Sequence, residues 1–284
     1  MRTSETVHRG FGFADLSFRQ NLSTFMSMSK KTIIEFSRYP ISFLAEFTQV
    51  LLIVAMFMFA TLVFMGGEKE GLPRIAGIMM YGFILNMFLI FVLWEIGFSI
   101  REEQYRGTLE SLYLTPASKF TNLVSRIFAI ALWTVILVVI AVLVVSHYVG
   151  GLPANDVILA IFVLFFSISG ILGIGFVVAS LILRLKESAH LLVNVLQFFF
   201  MIFCAMFFPF SALPDYILNF VTKWIPLSYG VDAFRSILIG QVPELLDVLA
   251  WEIVIVVMFG VFSPIVGYLL YRYNEKKARM DGTL

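Results

Sequence analysis

The stretch VILAIFVLFFSISGILGIGFVVASLIL, residues 157–183, contains no Asp, Glu, Lys or Arg. A helix needs about 20 apolar residues to cross a hydrocarbon core of roughly 30 Å, so this stretch is long enough to cross a membrane. Five more stretches of at least 19 residues share this lack of charge. The chain is therefore predicted to be an all-α integral membrane protein with six transmembrane helices. The other five stretches are residues 47–67, 75–94, 127–155, 188–214 and 253–271.

The composition of the whole chain agrees with that class. Hydrophobic residues make up 60% of it, against about 45–50% in soluble domains, and the mean hydropathy is +0.93. The apolar runs are too long and too uniform for the alternating strands of a membrane barrel. The single cysteine, Cys204, excludes an intrachain disulfide. We expect it to lie in the middle of the fifth span as a small, buried apolar residue.

The positive charges predict the orientation of the chain. If it starts inside and crosses six times, 16 of the 20 Lys and Arg residues lie on the inner side. Because loops rich in Lys and Arg stay in the cytoplasm, both termini are predicted to be cytoplasmic. We therefore expect a multi-pass protein of the cell (inner, cytoplasmic) membrane. The outer positive residues would be Lys69, Arg74, Lys223 and Arg235.

Residues 16–38 carry apolar side chains at steps of three and four, with Lys31 and Arg38 on the opposite face. This spacing predicts an amphipathic interfacial helix that lies along the inner leaflet. Pro40 is expected to end it before the first span. A solvated cytoplasmic helix packed on the protein's own loops is the alternative. Residues 1–40 lack the pattern of a cleavable signal, so the first span is expected to act as the insertion signal.

Residues 209–247 follow the fifth stretch and alternate helix-breaking residues with short apolar runs. Pro209, Pro214 and Pro226 set the breaks. No run between them is long enough to cross. Because irregular backbone at membrane depth is tolerated where protein buries it or water lines it, we predict an outer re-entrant segment of short helices. Elsewhere the turns are short, and Asp156 is placed to cap the fourth span.

Two polar motifs interrupt the apolar pattern. One is REEQYRGTLESLYLTP, residues 101–116, between the second and third stretches, and the other runs from Pro209 to Arg235 and includes PLSYGVDAFR. In these positions the two motifs resemble the type-2 permeases of ATP-binding-cassette (ABC) exporters. The resemblance covers nearly the whole chain. It implies a single ABC type-2 transmembrane domain over residues 1–284.

In that family the segment after the second span forms a coupling helix that docks on a cytoplasmic ATPase subunit. The resemblance gives this role to residues 101–118. Leu109, Leu112 and Tyr113 lie at i, i+3 and i+4 and can fill an apolar groove, while charged neighbours can pair with its rim. An ordinary charged inner loop is the alternative. The predicted coupling residues are Arg101, Glu102, Glu103, Arg106, Gly107, Thr108, Leu109, Glu110, Leu112 and Tyr113.

The sequence contains no Gly-x-x-x-x-Gly-Lys-Ser/Thr loop that could bind nucleotide phosphates. We therefore expect this chain not to be an enzyme by itself and to carry no cofactor, with ATP and Mg on a separate ABC ATPase subunit. The resemblance also implies a second permease chain, in a homodimer or a heterodimer, surrounded by membrane lipid. No nucleic-acid partner is predicted. No metal site is predicted either, because His147 and His190 have no second ligand at a suitable spacing.

Polar residues within the apolar stretches are candidates for a substrate path or a gate. Burying an ionisable group in hydrocarbon costs several kcal/mol unless it is paired or faces water. Hydrogen bonding between helices is the alternative account for the amides. Glu95 is expected instead to pair with Arg101 or with a second chain. The candidates are Glu46, Gln49, Asn86, Asn194, Gln197, Pro209 and Pro214, and Glu252 is a further intramembrane carboxyl group.

Three glycines of the fourth stretch, Gly170, Gly173 and Gly175, are predicted to permit close packing of this helix against another. Small residues at such positions let helix backbones approach within a membrane. We do not expect these glycines to bind a ligand.

Two other functional classes fit parts of the pattern. An ion-coupled secondary transporter would use carboxyl groups such as Glu46 and Glu252, but it usually has spans broken at matching positions in two halves. An intramembrane enzyme would need convergent nucleophiles or metal ligands, which the spans do not offer. For an exporter, the lack of a strongly charged cavity signal favours a hydrophobic drug or a lipid as substrate. A lipid-linked polysaccharide stays open.

Overall fold

A computed structural model describes residues 72–96, 119–149, 151–182 and 189–280, with scattered residues between positions 22 and 63. All regular structure in these ranges is helical, as predicted. A π-helical turn, Val92–Ile96, continues the first helix, and short 3-10 turns occupy Phe210–Ala212 and Thr222–Trp224. The α-helices are α1 (Leu72–Phe91), α2 (Lys119–Val149), α3 (Val157–Ile182), α4 (Ala189–Phe203), α5 (Asp215–Phe220), α6 (Pro226–Ile239) and α7 (Leu249–Met280).

Three helices are long and apolar enough to cross a membrane, over Pro73–Trp94, Val157–Ile182 and Leu249–Asn274. They coincide with the second, fourth and sixth charge-free stretches. Two shorter apolar helices, Thr134–His147 and His190–Phe203, lie in the third and fifth stretches. The first predicted span and the predicted interfacial helix lie largely outside the described residues, although the few residues described there are helical. The count of six spans therefore stays a prediction.

The fifth helix ends earlier than its apolar sequence suggests. Helix α4 stops at Phe203, although the charge-free stretch continues to residue 214. The prediction that Cys204 lies in the middle of a span is therefore wrong. Cys204 follows the last residue of the helix and is buried in the turn that leaves it.

A change of backbone direction at Ala205 causes this early end. Ala205 takes a left-handed conformation, with φ at 47°. Its N–H donates to the carbonyl of Ile202 at 3.0 Å, and the N–H of Met206 donates to the carbonyl of Met201 at 3.1 Å. These two bonds form the Schellman motif, which closes a helix C-terminus and usually has glycine at the left-handed position. Because alanine occupies that position here, the sequence gives no signal for the stop.

Helices α3 and α7 form the most extensive helix pair of the described fold. Pro264 lies inside α7 and has no N–H, so the carbonyl of Gly260, one turn earlier, loses its helical donor. The Ser169 hydroxyl of α3 donates to that carbonyl at 2.7 Å. In the opposite direction, the Ser263 hydroxyl of α7 donates to the carbonyl of Gly170 at 2.9 Å. The proline is thus accommodated by hydrogen bonding between the two helices.

Glycines bring the same two backbones together. A Cβ atom added to Gly173 would lie 2.2 Å from Ser263, and one added to Gly170 would lie 2.1 Å from the ring of Phe259. The predicted role of these glycines in close packing is confirmed at both positions. Gly175 is also buried in α3.

Helix α1 is the most enclosed of the three long helices. Leu85 and Leu89 of α1 and Leu93 of the π-helical turn are fully buried. The helix packs against α2, α3 and α6. It therefore forms the centre of the described bundle, whereas α3 and α7 expose much of their apolar surface.

The connection from α2 to α3 is hydrogen-bonded to α1 and α6. The Tyr81 hydroxyl of α1 donates to the carbonyl of Pro153, and the N–H of Asn155 donates to the carbonyl of Leu238 in α6 at 2.9 Å. Oδ1 of Asp156 accepts a backbone N–H from the first turn of α3 at 3.3 Å. This confirms the predicted N-cap.

Candidate functional site

Residues 204–248, here called the end segment, cover the end of the bundle where α1 begins, α4 ends and α7 begins. Four helical pieces lie within this segment, and three of them start at a proline or directly after one. Pro209 precedes the turn at Phe210–Ala212, Pro214 precedes α5, and Pro226 is the first residue of α6. The predicted breaks at the three prolines are therefore confirmed. That these pieces enter a membrane leaflet stays a prediction.

Helix α6 is the buried core of the end segment, and every residue from 227 to 238 is buried. The helix nevertheless carries Asp232, Arg235 and Ser236. Burying a charge costs a large free energy unless the charge is paired and hydrogen-bonded. The hydrogen-bond partners of these side chains are therefore expected to fix the backbone of the end segment.

Arg235 binds two carbonyl groups of the chain that follows α4. Its Nη2 donates to the Met206 carbonyl at 2.7 Å, and its Nη1 donates to the Phe208 carbonyl at 3.1 Å. The Thr222 hydroxyl donates to the Phe203 carbonyl at 2.8 Å. The last carbonyls of a helix lack partners within it, so donors from elsewhere must satisfy them when they are buried. Thr222 supplies such a donor to the last residue of α4, and Arg235 supplies donors to the turn that follows it.

The guanidinium of Arg235 is closely enclosed. A Cβ atom on Gly82 of α1 would lie 2.0 Å from Arg235 Nη2 and 2.0 Å from the Met206 carbonyl oxygen, so glycine is required for this approach. Burial lowers the pKa of Arg235 to about 10, and the charges of Asp232 and Glu244 act in the opposite direction. Arg235 is therefore still a cation at neutral pH.

The Asp232 carboxylate binds the backbone of the loop that follows α6. Its Oδ2 accepts the N–H of Glu244 at 2.8 Å and that of Leu245 at 2.6 Å, while Ser236 Oγ donates to Oδ1 at 3.4 Å. Burial raises the pKa of Asp232, and the N–H of Leu245 is the largest influence in the opposite direction. Asp232 thus acts as an anchor for this loop.

Two more carboxyl groups complete the arrangement. Glu244 Oε2 accepts the N–H of Ser211 at 2.7 Å. Glu252, in the first turn of α7, accepts the N–H of Leu246 through Oε1 at 3.1 Å, next to the Leu245 N–H that Asp232 accepts. We call Asp232, Glu244 and Glu252 the carboxylate cluster. Together with Arg235, it binds the irregular backbone of the end segment, from the turn after α4 to the loop before α7.

The thiol of Cys204 is predicted to be unreactive in the folded protein. Cys204 is 0% exposed, and burial raises its pKa to about 12, with Ser228 and Arg235 acting in the opposite direction. Thiolates, not thiols, react with maleimides, so native protein at neutral pH should stay unlabelled and detergent-denatured protein should be labelled in full.

A matched control places a single cysteine in the same segment. Val242 is 70% exposed, so Val242→Cys combined with Cys204→Ala should be labelled without denaturation. Equal labelling rates for native Cys204 and for this variant would contradict the burial of the turn after α4.

The pathway candidates on α1 and α4 have separate partners. Trp94 Nε1 of the π-helical turn donates to Gln197 Oε1 at 2.9 Å, which joins that turn to α4. Asn194 Nδ2 donates to the His190 carbonyl of its own helix at 3.0 Å. Asn86 is buried in α1, and its Oδ1 has no hydrogen-bond partner. The structure therefore supports interhelical hydrogen bonding for Gln197 and does not bring the three amides to one site.

The remaining sequence-derived candidates are spread over the chain. Gln49 is helical and exposed, Pro209 is half-buried, and Pro214 is exposed. Glu46, the predicted coupling residues from Arg101 to Tyr113 and the side chain of Glu95 lie outside the described residues. In the described part of the chain, no group of three or more His, Cys, Asp or Glu side chains could hold a metal ion.

The sequence alone does not predict that Asp232, Glu244 and Arg235 lie in one cluster. It places Arg235 among the outer loop charges and indicates no partner for Glu252. One signal was available, because Asp232, Arg235 and Ser236 recur at steps of three and four within an otherwise apolar helix. The loop donors at positions 244–246 have no such signal, because backbone N–H groups are the same in every sequence.

Comparison with known proteins identifies the family. A family model described as ABC-2 type transporter matches residues 23–239, more than half of the chain. The match includes the motif at residues 101–116 and the PLSYGVDAFR run that forms most of α6. No match was found among curated proteins. The chain belongs to the ABC-2 type transporter family.

Proposed function

We propose that this ABC-type permease is the membrane-spanning subunit of an exporter driven by separate ATPase subunits. The observation that carries the proposal is the family match over residues 23–239, which includes both polar motifs. The long apolar helices α1, α3 and α7 supply the membrane-crossing part. With no nucleotide-binding loop in its sequence, the chain itself is not the ATPase.

Coupling to the ATPase is assigned to residues 101–118. This segment follows the π-helical turn Val92–Ile96, and Trp94 of that turn is hydrogen-bonded to Gln197 of α4. A movement of the coupling segment would therefore be passed directly to α4. π-Helical turns are frequent at functional sites, which agrees with a role of this turn in transmitting movement from the coupling segment to the helices.

The export path is proposed to form between two permease chains, either identical or related. Helix α4 supports this arrangement because its exposed apolar residues recur at steps of four, three and four along one side. In the described fold α4 packs only lightly, against α1 and the π-helical turn. A second chain would cover this side of α4. The exposed residues of this side are Leu191, Val195, Phe198 and Ile202, and Phe199, next to Phe198, is exposed as well.

The proposed substrate is a hydrophobic drug or a lipid, with a lipid-linked polysaccharide as the other candidate. Beyond His190 in its first turn, the polar side chains of α4 are Asn194 and Gln197, which are uncharged amides and are both engaged in hydrogen bonds. If α4 lines the proposed path, its apolar residues and neutral amides suit an apolar or neutral substrate better than a strongly charged one. In the proposed orientation both termini are cytoplasmic, and the end segment lies on the outer side of the membrane.

The proposal is tested by purifying the tagged chain from its native host in mild detergent. We expect an ABC ATPase subunit to accompany it at about a 1:1 ratio and to hydrolyse ATP. Replacing Leu109 and Leu112 with Asp should abolish both co-purification and ATP-driven transport, because two charges would enter the apolar groove of the ATPase.

The matched control adds two charges to the other side of the same predicted helix. Ser111→Asp combined with Thr115→Asp should keep the ATPase bound. Loss of the ATPase in both double variants would reject the apolar docking face. A chain that is purified without any ATPase, and that transports its substrate, would reject the exporter proposal.

A second candidate is an ion-coupled secondary transporter. The observation that favours it is that two buried carboxyl groups, Asp232 of α6 and Glu252 of α7, bind the adjacent N–H groups of the loop between these helices. Carboxyl groups inside a membrane protein are frequent elements of proton relays. Transport in vesicles that depends on a pH gradient and needs no ATP would favour this candidate.

A further inference from the structure

Three aromatic side chains stand in a row on the outside of the end segment. Tyr216, Phe220 and Trp224 follow one another at steps of four residues and are 67%, 79% and 79% exposed. The first two lie on α5, and Trp224 ends the short 3-10 turn that follows it. We call these three residues the aromatic stripe. Large apolar side chains grouped at a surface usually mark a site of interaction.

The opposite side of the same stretch is fixed to the bundle. Leu218 packs against the buried core, and the buried Thr222 donates its hydroxyl to the Phe203 carbonyl at 2.8 Å. The Tyr229 hydroxyl of α6 donates to the Lys223 carbonyl at 2.8 Å. The aromatic stripe is therefore carried by a backbone that is bonded to both α4 and α6.

Helix α1 shows how deep the end segment reaches. A Cβ atom on Gly82 would lie 2.0 Å from the Met206 carbonyl oxygen, so the turn after α4 is level with Gly82. Gly82 is about 12 Å along α1 from the exposed Arg74, at 1.5 Å per residue. A charged side chain at the end of a span stays near the headgroups, so Arg74 marks the membrane surface on this side. The turn after α4 therefore lies below that surface.

Helix α3 gives a similar depth for the start of α6. A Cβ atom on Gly230, in the first turn of α6, would lie 2.6 Å from Ser167 Oγ. Ser167 is about 15 Å along α3 from the start of that helix. The last turn of α6 is level with the start of α3, where the Asn155 N–H donates to the Leu238 carbonyl. The turn Thr222–Trp224 joins α6 at its deep end.

Helix α7 indicates what surrounds the bundle at this depth. Its exposed Trp251 and Tyr273 are about 33 Å apart along the helix, close to the roughly 30 Å of a hydrocarbon core. Because Trp and Tyr are enriched at both membrane–water interfaces, α7 is placed with its exposed apolar side in lipid. A Cβ atom on Gly230 would lie 3.9 Å from Val256 of α7. The deep end of α6 thus packs on a helix whose other side faces lipid.

The side chains of the aromatic stripe suit the border between headgroups and acyl chains. Trp and Tyr combine an apolar ring with one polar group, which favours this layer. The exposed Lys223 lies next to Trp224. A lysine can keep its carbon chain in the apolar layer while its amine reaches the phosphate groups.

We infer that the aromatic stripe and Lys223 form a phospholipid-binding surface on the end segment. The rings contact acyl chains just below the headgroups, and the Lys223 amine pairs with a phosphate group. Because Thr222 of the same turn is bonded to the Phe203 carbonyl, bound lipid also fixes the depth of the end of α4. The inference does not rest on an ATPase partner, a substrate or the orientation of the termini.

Spin labels test this surface in the purified full chain, with any subunits that accompany it, in phosphatidylcholine vesicles. Cys204→Ala removes the single native cysteine, and Phe220→Cys then carries the label on the stripe. Molecular oxygen dissolves in lipid, whereas a charged nickel chelate stays in water. We expect the label at Phe220→Cys to collide more often with oxygen than with the chelate.

Two control positions bracket this result. Val242 is 70% exposed in the same end segment, next to the surface hydrogen bond between Arg74 and Gln241, so a label at Val242→Cys should favour the chelate. Met258 is 52% exposed within the span of α7, so a label there should favour oxygen. A label at Phe220→Cys that behaves like the one at Val242→Cys would overturn the inference, because the stripe would face water. Few collisions with either reagent would overturn it too, because a protein chain would then cover the stripe.

Tryptophan fluorescence provides a measurement that leaves the parent stripe unaltered. Bromine atoms on lipid acyl chains quench tryptophan emission at contact distance. The intensity lost on transfer to vesicles of brominated phosphatidylcholine should be larger for the parent than for Trp224→Phe, which keeps an aromatic ring at this position. Equal losses for the two proteins would show that Trp224 does not contact lipid and would reject the surface.

Discussion

Replacing Gly173 with alanine is expected to lower the free energy of unfolding by about 3 kcal/mol, at the upper end of the usual range for overpacked cores. The added Cβ would lie 2.2 Å from the carbonyl carbon of Ser263 and 2.5 Å from the nitrogen of Pro264. These are backbone atoms that no side-chain rotation can move, so α3 and α7 would have to separate. Separation would also break the 2.9 Å hydrogen bond from Ser263 to Gly170.

Gly77→Ala is the matched control for this prediction. Gly77 is also a buried glycine in a helix of membrane-spanning length, but the nearest atom to its added Cβ is 3.4 Å away, in Pro153. Alanine is favoured over glycine in a helix by about 1 kcal/mol, so this variant should be as stable as the parent or more stable. The two variants are compared by chemical denaturation in detergent. Equal midpoints would contradict the close contact of α3 and α7.

The sequence predicts the individual helices better than their pairing. A charge-free stretch of sufficient length determines α1, α3 and α7 almost by itself, because a helix satisfies its own backbone hydrogen bonds. The small residues Gly170 and Gly173 also indicate a close contact. They do not indicate with which helix. Ser169 and the Gly260 carbonyl are 91 residues apart, and no local pattern connects them.

Only part of the structure of the end segment can be predicted from local sequence patterns. The prolines predicted its breaks, because proline removes a backbone donor and fixes φ wherever it stands. The end of α4 was not predictable, since alanine at position 205 adopts a conformation that usually requires glycine. The role of Arg235 was not predictable either. A charged residue in a polar loop and a charged residue that binds a buried turn look the same in sequence, and only the neighbouring carbonyl groups distinguish them.

Arg235 is expected to be the most important single side chain for the stability of the end segment. It is 2% exposed, and its guanidinium satisfies two carbonyl groups that follow α4. Without it, the Met206 and Phe208 carbonyls would lose this donor. The carboxylate cluster would also lose its nearby positive charge, and buried negative charge without compensation is unstable. These losses occur together because one side chain provides both functions.

Arg235→Met should therefore lower the free energy of unfolding by roughly 3–5 kcal/mol, the usual effect of removing one partner from a buried charged arrangement. Methionine occupies a similar space without charge or donors, so little of the loss would come from an empty cavity. The melting temperature of the detergent-purified chain should fall by about 10 °C. The melting temperature of Arg235→Lys should lie between those of the parent and of Arg235→Met. Lysine keeps the positive charge, but its ammonium group lacks the planar fork that reaches both carbonyls.

Arg74→Met makes the same chemical change at the same end of the bundle and serves as the control. Arg74 is exposed, and its Nη2 donates to Gln241 Oε1 at 3.0 Å, also at the surface. A hydrogen bond of this kind contributes about 1 kcal/mol, so the control should melt close to the parent. If Arg235→Met and Arg74→Met melt at the same temperature, Arg235 does not hold the turn that follows α4. The two variants are matched in the charge removed, in side-chain type and in location at the bundle end. A large difference between their melting temperatures would therefore show that the buried guanidinium of Arg235 holds the end segment in place.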